Sequence, residues 1–440
     1  MASQSNASRP TADRFARLKA LQPPSTLPIA EREIVPVRNP AEAESFNRAT
    51  GVAVGAERLA LILGASVKRN CHGEHLSLHS WQGDHAPCIP NAAALRLLAP
   101  DAAKNVADPQ QWLFLDTETT GLSGGTGTYP FLVGLAWWEG GGLEVEQLFM
   151  REYSEERSLL AALAERMAER PVLVTFNGKS FDWPLLETRY RMTRTISPPA
   201  LRAHLDFLHP ARNLWRLRLG SVRLSELERH VLGWDRGADV MSELIPRIYL
   251  DFVRGGHAEP LVAVFQHNQM DLRGLAGLSG RILSLLGDEG PTSQDGLELY
   301  GVSRICERRG EVGRARKLYE QSIGFVLPTE TDRAARAALA RLAKRDGDLG
   351  RARELWESAV GDSREGYEAY EQLAIYYEHE AREPRRALDL AGEALDELRR
   401  ANQAGTIAAA QYRRTRARFE HRILRLERKA GRTLLDALEA

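Results

Sequence analysis

The sequence has little cysteine, no long apolar run and no net charge, and each shortage narrows what the chain can be. Three cysteines, Cys71, Cys88 and Cys306, are spread over 440 residues. They supply no disulfide framework and suit a reducing, cytoplasmic compartment. No apolar run approaches the ~18 residues that a bilayer-spanning helix needs, so no membrane segment is expected. The N-terminus also lacks the apolar region of a signal peptide. Basic and acidic residues number 59 each. Any contact with nucleic acid must therefore come from local basic patches, not from an overall positive field. The length suits two or three domains of about 100–200 residues.

What the chain does have is concentrated in residues 111–130, QWLFLDTETTGLSGGTGTYP. Residues 112–115 form a short apolar run of the kind a buried strand shows. It leads into Asp116 and Glu118, which as i and i+2 on a strand project from the same face. Two adjacent carboxylates repel one another unless a cation lies between them. Oxygen ligands of this kind suit a hard divalent ion, Mg²⁺ or Mn²⁺. Residues 131–138 and 143–150 read as strands joined by the Gly-rich turn EGGG. Ser154 is a candidate N-cap for a helix carrying Leu159, Leu160, Leu163 and Met167 at helical spacing. Another buried strand, 172–176, runs into the turn Asn177-Gly178 and a helix over 181–190, with Asp182 in its first turn. Acids at the C-terminal end of a strand lie where α/β folds gather ligands. A further helix over 260–286 places His267 and Asp271 at i, i+4, on one face among apolar residues.

LDTETTG, FNGKSFDWPLL and HNQMD, in that order, resemble the three motifs of the DEDD 3′→5′ exonuclease superfamily. The chain as a whole is most similar to the bacterial YprB-like family, a ribonuclease H-like domain followed by helical repeats. The resemblance covers about 105–288. It implies an α/β ribonuclease H-like fold: a mixed sheet of three antiparallel strands, then parallel strands alternating with helices. The strand order read above agrees. Position by position, the resemblance implies Asp116, Glu118, Asp182 and Asp271 as ligands of two divalent ions, Mg²⁺ or Mn²⁺. It implies His267 as the general base. One departure is visible: three residues separate His267 from Asp271, as in the tyrosine version of the motif, where the histidine version has four. The implied chemistry is two-metal hydrolysis of a phosphodiester, with the ions about 3.5–4 Å apart, releasing nucleoside 5′-monophosphates from a 3′ end. Thr119, Gly121, Asn177, Lys179 and Phe181 are the substrate-binding candidates. Two other readings share parts of this picture: a nucleic-acid- or protein-binding scaffold without turnover, and an endonuclease acting on structured junctions.

The rest of the chain divides around this domain. Residues 1–30, rich in Ser, Ala, Pro and Arg, read as a disordered tail. Residues 31–104 form a small region with an amphipathic segment near 41–63 and strand-like pieces. Cys71, His72, His75, His79, His85 and Cys88 fall there, but their spacing fits no structural zinc site, which favours surface histidines on a hairpin. The glycine-rich loop 121–129 suits either backbone contact with a phosphate or a flexible connection. Between the second and third motifs, Arg202, His204, Arg212, Asn213, Trp215, Arg216 and Arg218 form a basic, aromatic-interleaved stretch. It reads either as a phosphate-neutralising surface or as a solvated face with Leu214, Leu217 and Leu219 turned inward. Asp206 and Asp239 are spare acids without an assigned role.

After a linker, residues 289–440 are rich in Ala, Arg, Leu and Glu. Gly310, Ala315, Leu318 and Tyr319 recur as Gly347, Ala352, Leu355 and Trp356, and Ala387, Leu390 and Ala391 continue the series. The step is close to the ~34 residues of tetratricopeptide-like helix pairs, which stack into a solenoid and commonly hold a protein partner; a structural cap on the preceding domain suits the pattern equally. The last segment, 411–433, carries a stripe of Arg414, Arg418, Arg422 and Arg425. This suits a solvated capping helix or a nucleic-acid contact.

Overall fold

The computed structural model describes residues 56–83, 91–121, 126–288, 295–360 and 367–439, with side chains to residue 429. The tail 1–30, most of the 41–63 segment, His85, Cys88, the loop centre 122–125 and most of the linker lie outside the described residues. Helix α1 (Ala56–Leu63) leads to a hairpin of β1 (Ser66–Asn70) and β2 (Gly73–Gln82), then α2 (Ala92–Leu98). Three long strands follow, β3 (Trp112–Thr119), β4 (Pro130–Glu139) and β5 (Gly142–Phe149). Helices and strands then alternate: α3 (Glu156–Glu169), β6 (Val172–Thr175), α4 (Asp182–Thr193), β7 (Ala203–Asp206) and α5 (Leu208–Leu219). Short α6 (Leu224–Leu227) continues into a π-turn at Glu228–Leu232, and α7 (Ile245–Val253) precedes the 27-residue α8 (Pro260–Leu286).

The strands form one mixed sheet in the order β1-β2-β5-β4-β3-β6-β7. The five from β1 to β3 pair antiparallel, and β6 and β7 extend the sheet parallel to β3. This is the expected ribonuclease H-like plan, with the β1–β2 hairpin added beside β5. The hairpin is as expected, but its histidines are not all at the surface. His75 is buried and its Nδ1 lies 2.8 Å from Ser158 Oγ, tying the hairpin to α3.

Strand β3 is the spine. Trp112 and Phe114 pack into one hydrophobic cluster, and Leu113 and Leu115 into the other. Burial on both faces explains the unbroken apolar run, since a strand covered on both sides needs no polar alternation. The strand continues past that run, so Asp116 and Glu118 stand on the Trp112–Phe114 face, where α8 crosses it.

Two local expectations need correction. Helix α3 begins at Glu156, after a 3₁₀ turn at Tyr153–Glu155. Ser154 Oγ donates to the Glu152 carboxylate instead of capping that helix. In α5, Leu214 and Trp215 face inward, but Leu217 is exposed. Trp215 Nε1 donates to Glu298 Oε1 at 2.6 Å, so the inward aromatic has a partner for its N–H.

That contact joins the sheet domain to the C-terminal helices α9 (Gly296–Arg308), α10 (Val312–Ser322), α11 (Thr329–Arg345), α12 (Leu349–Ala359), α13 (Tyr367–His379), α14 (Pro384–Gln403) and α15 (Ala409–Glu439). They pack as successive pairs, and the repeated Ala315, Leu318, Tyr319, Ala352, Leu355, Trp356, Ala387, Leu390 and Ala391 are all buried. Gly310 and Gly347 turn the first two pairs, both at φ 80°. At the equivalent turn of the third pair stands Arg382, at φ 56°. The arginine stripe on α15 is a docking face: Arg418 and Arg422 pair with Glu371, and Arg422, Arg425 and Lys429 with the buried Glu378, both acids on α13. Among the described residues no helix is long and apolar enough to cross a membrane.

Candidate functional site

Three elements carry the acidic residues to one place. Strand β3 supplies Asp116 and Glu118, the first turn of α4 supplies Asp182, and α8 supplies His267 and Asp271. His267 Nε2 lies 3.5 Å from Asp271 Oδ2 and 3.9 Å from Glu118 Oε1. Among the described residues, Glu118, His267 and Asp271 form the one group of such side chains whose donor atoms come within 4.8 Å of one another. The cysteines and histidines of the β1–β2 hairpin form no such group.

The carboxylates feel one another. Burial, followed by the charges of Asp271 and Asp182, pushes the Asp116 carboxyl well above the usual range. Glu118 is pushed up in the same way, by burial and then by Asp116, Asp271 and Asp182. Burial lifts Asp182 to about 6, although Thr117 Oγ1 donates to its Oδ1 at 2.6 Å. Crowded carboxylates in a half-dry pocket are costly, and a divalent cation relieves that cost. The four carboxylates offer oxygen donors of the kind that suit a hard divalent ion, and His267 adds a nitrogen beside them.

Several side chains that hold this cluster were not assigned from the sequence. Asn268 is buried and donates through Nδ2 to Asp116 Oδ2 at 2.8 Å. Its own Oδ1 accepts from Gln147 Nε2 at 2.8 Å, and Gln147 Oε1 accepts from Gln269 Nε2 at 2.9 Å. Gly134 on β4 leaves the space: a Cβ there would lie 2.1 Å from Asn268 Oδ1. Asn268 sits inside the HNQMD motif, so its position next to His267 was the available signal.

The two spare acids also have roles. Asp239 Oδ1 lies 2.7 Å from His267 Nδ1. Burial acts upward on Asp239, but hydrogen bonds from His267 and Arg236 outweigh it and hold the carboxyl below its ordinary value. Arg236 joins this group to the helical side. Its guanidinium donates to Glu228 at 2.5 Å, to Asp239 Oδ2 at 3.1 Å and to Asp271 Oδ1. Asp206, at the end of β7, receives Asn177 N at 2.8 Å and Leu208 N at 3.0 Å on Oδ1, and Lys179 N at 3.1 Å on Oδ2. It fixes the β6–α4 turn, in which Asn177 adopts φ 73°.

The substrate-binding candidates divide into two groups. Phe181 is 60% exposed and Lys179 is exposed, both on the β6–α4 turn just before Asp182. Asn177 is half-buried in the same turn. Thr119 ends β3 and Gly121 lies just beyond it, with Thr119 Oγ1 donating to Gly121 O at 2.8 Å.

A family model described as RNase_H superfamily matches residues 113–282. The chain is 31% identical over 317 residues to "Uncharacterized protein YprB" of Bacillus subtilis (strain 168), covering 72% of this chain and 74% of that one. Among solved structures, it is similar to the family B DNA polymerase of the hyperthermophilic archaeon Pyrobaculum calidifontis, with 16% identity and a TM-score of 0.33. That match covers 45% of this chain and 29% of the polymerase.

Proposed function

We propose, for a chain that belongs to the YprB family within the ribonuclease H superfamily, a metal-dependent nuclease that hydrolyses nucleic-acid phosphodiesters from a 3′ end. The observation that carries this reading is the meeting of Glu118, His267 and Asp271, beside an Asp116 that, like Glu118, is raised by burial and by the charges of Asp271 and Asp182. A binding module has no need of such a group. Asp116, Glu118, Asp182 and Asp271 would hold two Mg²⁺ or Mn²⁺ ions, which when bound offset charge on the scissile phosphate and make water more acidic.

The protein's own groups do the rest. His267 Nδ1 lies against Asp239, which leaves Nε2 facing Asp271 and Glu118. In this reading Nε2 takes the proton of the attacking water as general base. Asn268 sets the rotamer of Asp116, and Arg236 holds Asp271. Lys179 and the exposed Phe181 would meet a phosphate and the face of a base. The product is a nucleoside 5′-monophosphate. In this reading residues 105–288 are the nuclease domain, 31–104 flank it, and the helical pairs of 289–440 offer a surface for a protein partner. The expected compartment is the cytoplasm.

The test uses 5′-labelled single-stranded and duplex DNA and RNA, each with Mg²⁺, with Mn²⁺ and with chelator, beside Asp116→Ala. A metal-dependent ladder shortening from the 3′ end, absent in the variant, is expected. A discrete internal cut would replace the exonuclease with an endonuclease. Binding of every substrate without cleavage would overturn the enzyme.

A further inference from the structure

Most arginines in this protein whose contacts are described pair with an acid. One group is different. A cleft of about 780 Å³ opens beside the edge strand β7, between α2, the start of α5 and the end of α9. Lys179, His209, Arg212, Arg308 and Arg309 line it, and all five are exposed. Arg309 Nε is spent on Leu97 O at 2.8 Å, and Arg308 Nε reaches only the carbonyl of Arg304. Among the described residues, no ion pair joins an acid to Lys179, Arg212 or Arg308. Asp101 and Asp206 also line the cleft, but Asp101 makes no such pair, and both oxygens of Asp206 are taken by backbone N–H groups. Burial, followed by the charge of Arg304, holds the Arg308 guanidinium below its ordinary value, with Tyr319 and Glu307 acting the other way.

We infer that this cleft binds the sugar-phosphate backbone of a nucleic-acid strand, with Arg212 and Arg308 contacting successive phosphates outside the catalytic cluster. The cleft adjoins that cluster through one turn: Lys179 lies on its wall, and Asp182 follows three residues later. A strand whose 3′ end lay at the carboxylates would have its upstream phosphates within reach of a site built half from the sheet domain and half from the first helical pair. The inference rests on the nuclease reading for its direction, and on unpaired positive charge for its ligand. Phosphate contacts of this kind are independent of sequence and weaken with salt.

The experiment measures binding of fluorescein-labelled oligothymidylate and oligouridylate by anisotropy, in chelator, across a series of salt concentrations. The proteins compared are wild type, Arg212→Gln with Arg308→Gln, the charge-keeping Arg212→Lys with Arg308→Lys, and a control that removes Arg351 and Arg399, each paired with an acid on its own helix. The glutamine variant is expected to bind about tenfold more weakly, with a salt slope lower by about 1.4, from ~0.7 per phosphate contact on a single strand. The lysine variant is expected to keep the wild-type slope, and the control to match wild type in both. A glutamine variant that binds with wild-type affinity and slope would overturn the cleft, as would a wild type that binds neither probe. A loss shared equally by the control would overturn it too. Equal melting temperatures exclude misfolding, and if the double glutamine variant melts early, the single variants Arg212→Gln and Arg308→Gln decide: each is expected to lower the salt slope by about 0.7, and a wild-type slope in both would overturn the cleft. Cleavage measured in parallel separates the two readings: metal-dependent cleavage with no effect of the arginines removes the cleft alone, and a full cleft effect without cleavage removes the nuclease alone.

Discussion

Asp239 Oδ1 and His267 Nδ1 lie 2.7 Å apart, and this contact decides which imidazole nitrogen faces the acids. With Nδ1 engaged, Nε2 points to Asp271 Oδ2 at 3.5 Å. Asp239 acts through His267, as a positioning residue. Asp239→Asn is expected to lower kcat roughly 10–100-fold, the usual loss when a histidine's orienting carboxylate is removed, with KM nearly unchanged. His267→Gln is expected to fall further, by about 10²–10⁴-fold. Steady-state kinetics on a labelled oligonucleotide check both. A rise in KM with kcat intact would instead make Asp239 a substrate contact.

Gly134 is a second positioning element, reached through Asn268. A methyl group there has no room, because Asn268 Oδ1 would lie 2.1 Å from the new Cβ. Gly134→Ala is expected to displace Asn268 from Asp116, to destabilise the fold by about 1–3 kcal/mol as overpacking does, and to reduce turnover. Asn268→Ala is expected to share the activity loss while sparing β4. Denaturant unfolding and turnover of both variants give the answer, and an unaltered Gly134→Ala protein would contradict the packing.

The acid cluster should leave a trace in stability. Asp182 has a folded value of about 6 against an ordinary 3.8, so the folded protein holds this proton more tightly than the unfolded chain. Its contribution is fully present below 3.8 and is lost as pH rises through 6. The chelated wild type is therefore expected to lose melting temperature between pH 4 and pH 7 relative to Asp182→Asn. Adding Mg²⁺ at pH 7 is expected to restore wild type and not the variant. Parallel melting curves for the two chelated proteins across that range would contradict the burial of this carboxyl.

The third helical pair turns on an arginine where the first two turn on glycine. A non-glycine residue at φ 56° is strained by its Cβ, and Arg382 is exposed with no ion pair in the described structure. Arg382→Gly is expected to stabilise the protein by roughly 0.5–1 kcal/mol, seen as a raised Tm. A lowered Tm would show that the side chain contributes more than its backbone costs.

What the sequence made legible was whatever is written in short-range spacing. The i, i+2 pair on β3, the i, i+4 pair on α8 and the Gly-rich turn before β5 each carry their geometry locally, and the strand order followed from them. The repeated Gly310 and Gly347 announced the helical pairs in the same way. Contacts made across the fold were not legible. Nothing near Asp239 says that it reaches His267, 28 residues away, and nothing near Gln147 says that it buttresses Asn268, 121 residues on. The hairpin of β1 and β2 was visible, but its pairing with β5 depends on an edge some 70 residues distant. The arginine stripe of α15 looked open to solvent or to nucleic acid because its partners, Glu371 and Glu378, lie on another helix.

The most direct test of the central claim is the product of the first turnover in H₂¹⁸O. The protein is incubated with Mg²⁺ and a single-stranded substrate labelled at its 3′ end, and the released nucleotide is weighed by mass spectrometry. Water attack on phosphorus at the 3′ end predicts a nucleoside 5′-monophosphate carrying one ¹⁸O, and none from Asp116→Ala. Release of a 3′-phosphate, a product without ¹⁸O, or the same product from Asp116→Ala would contradict the account.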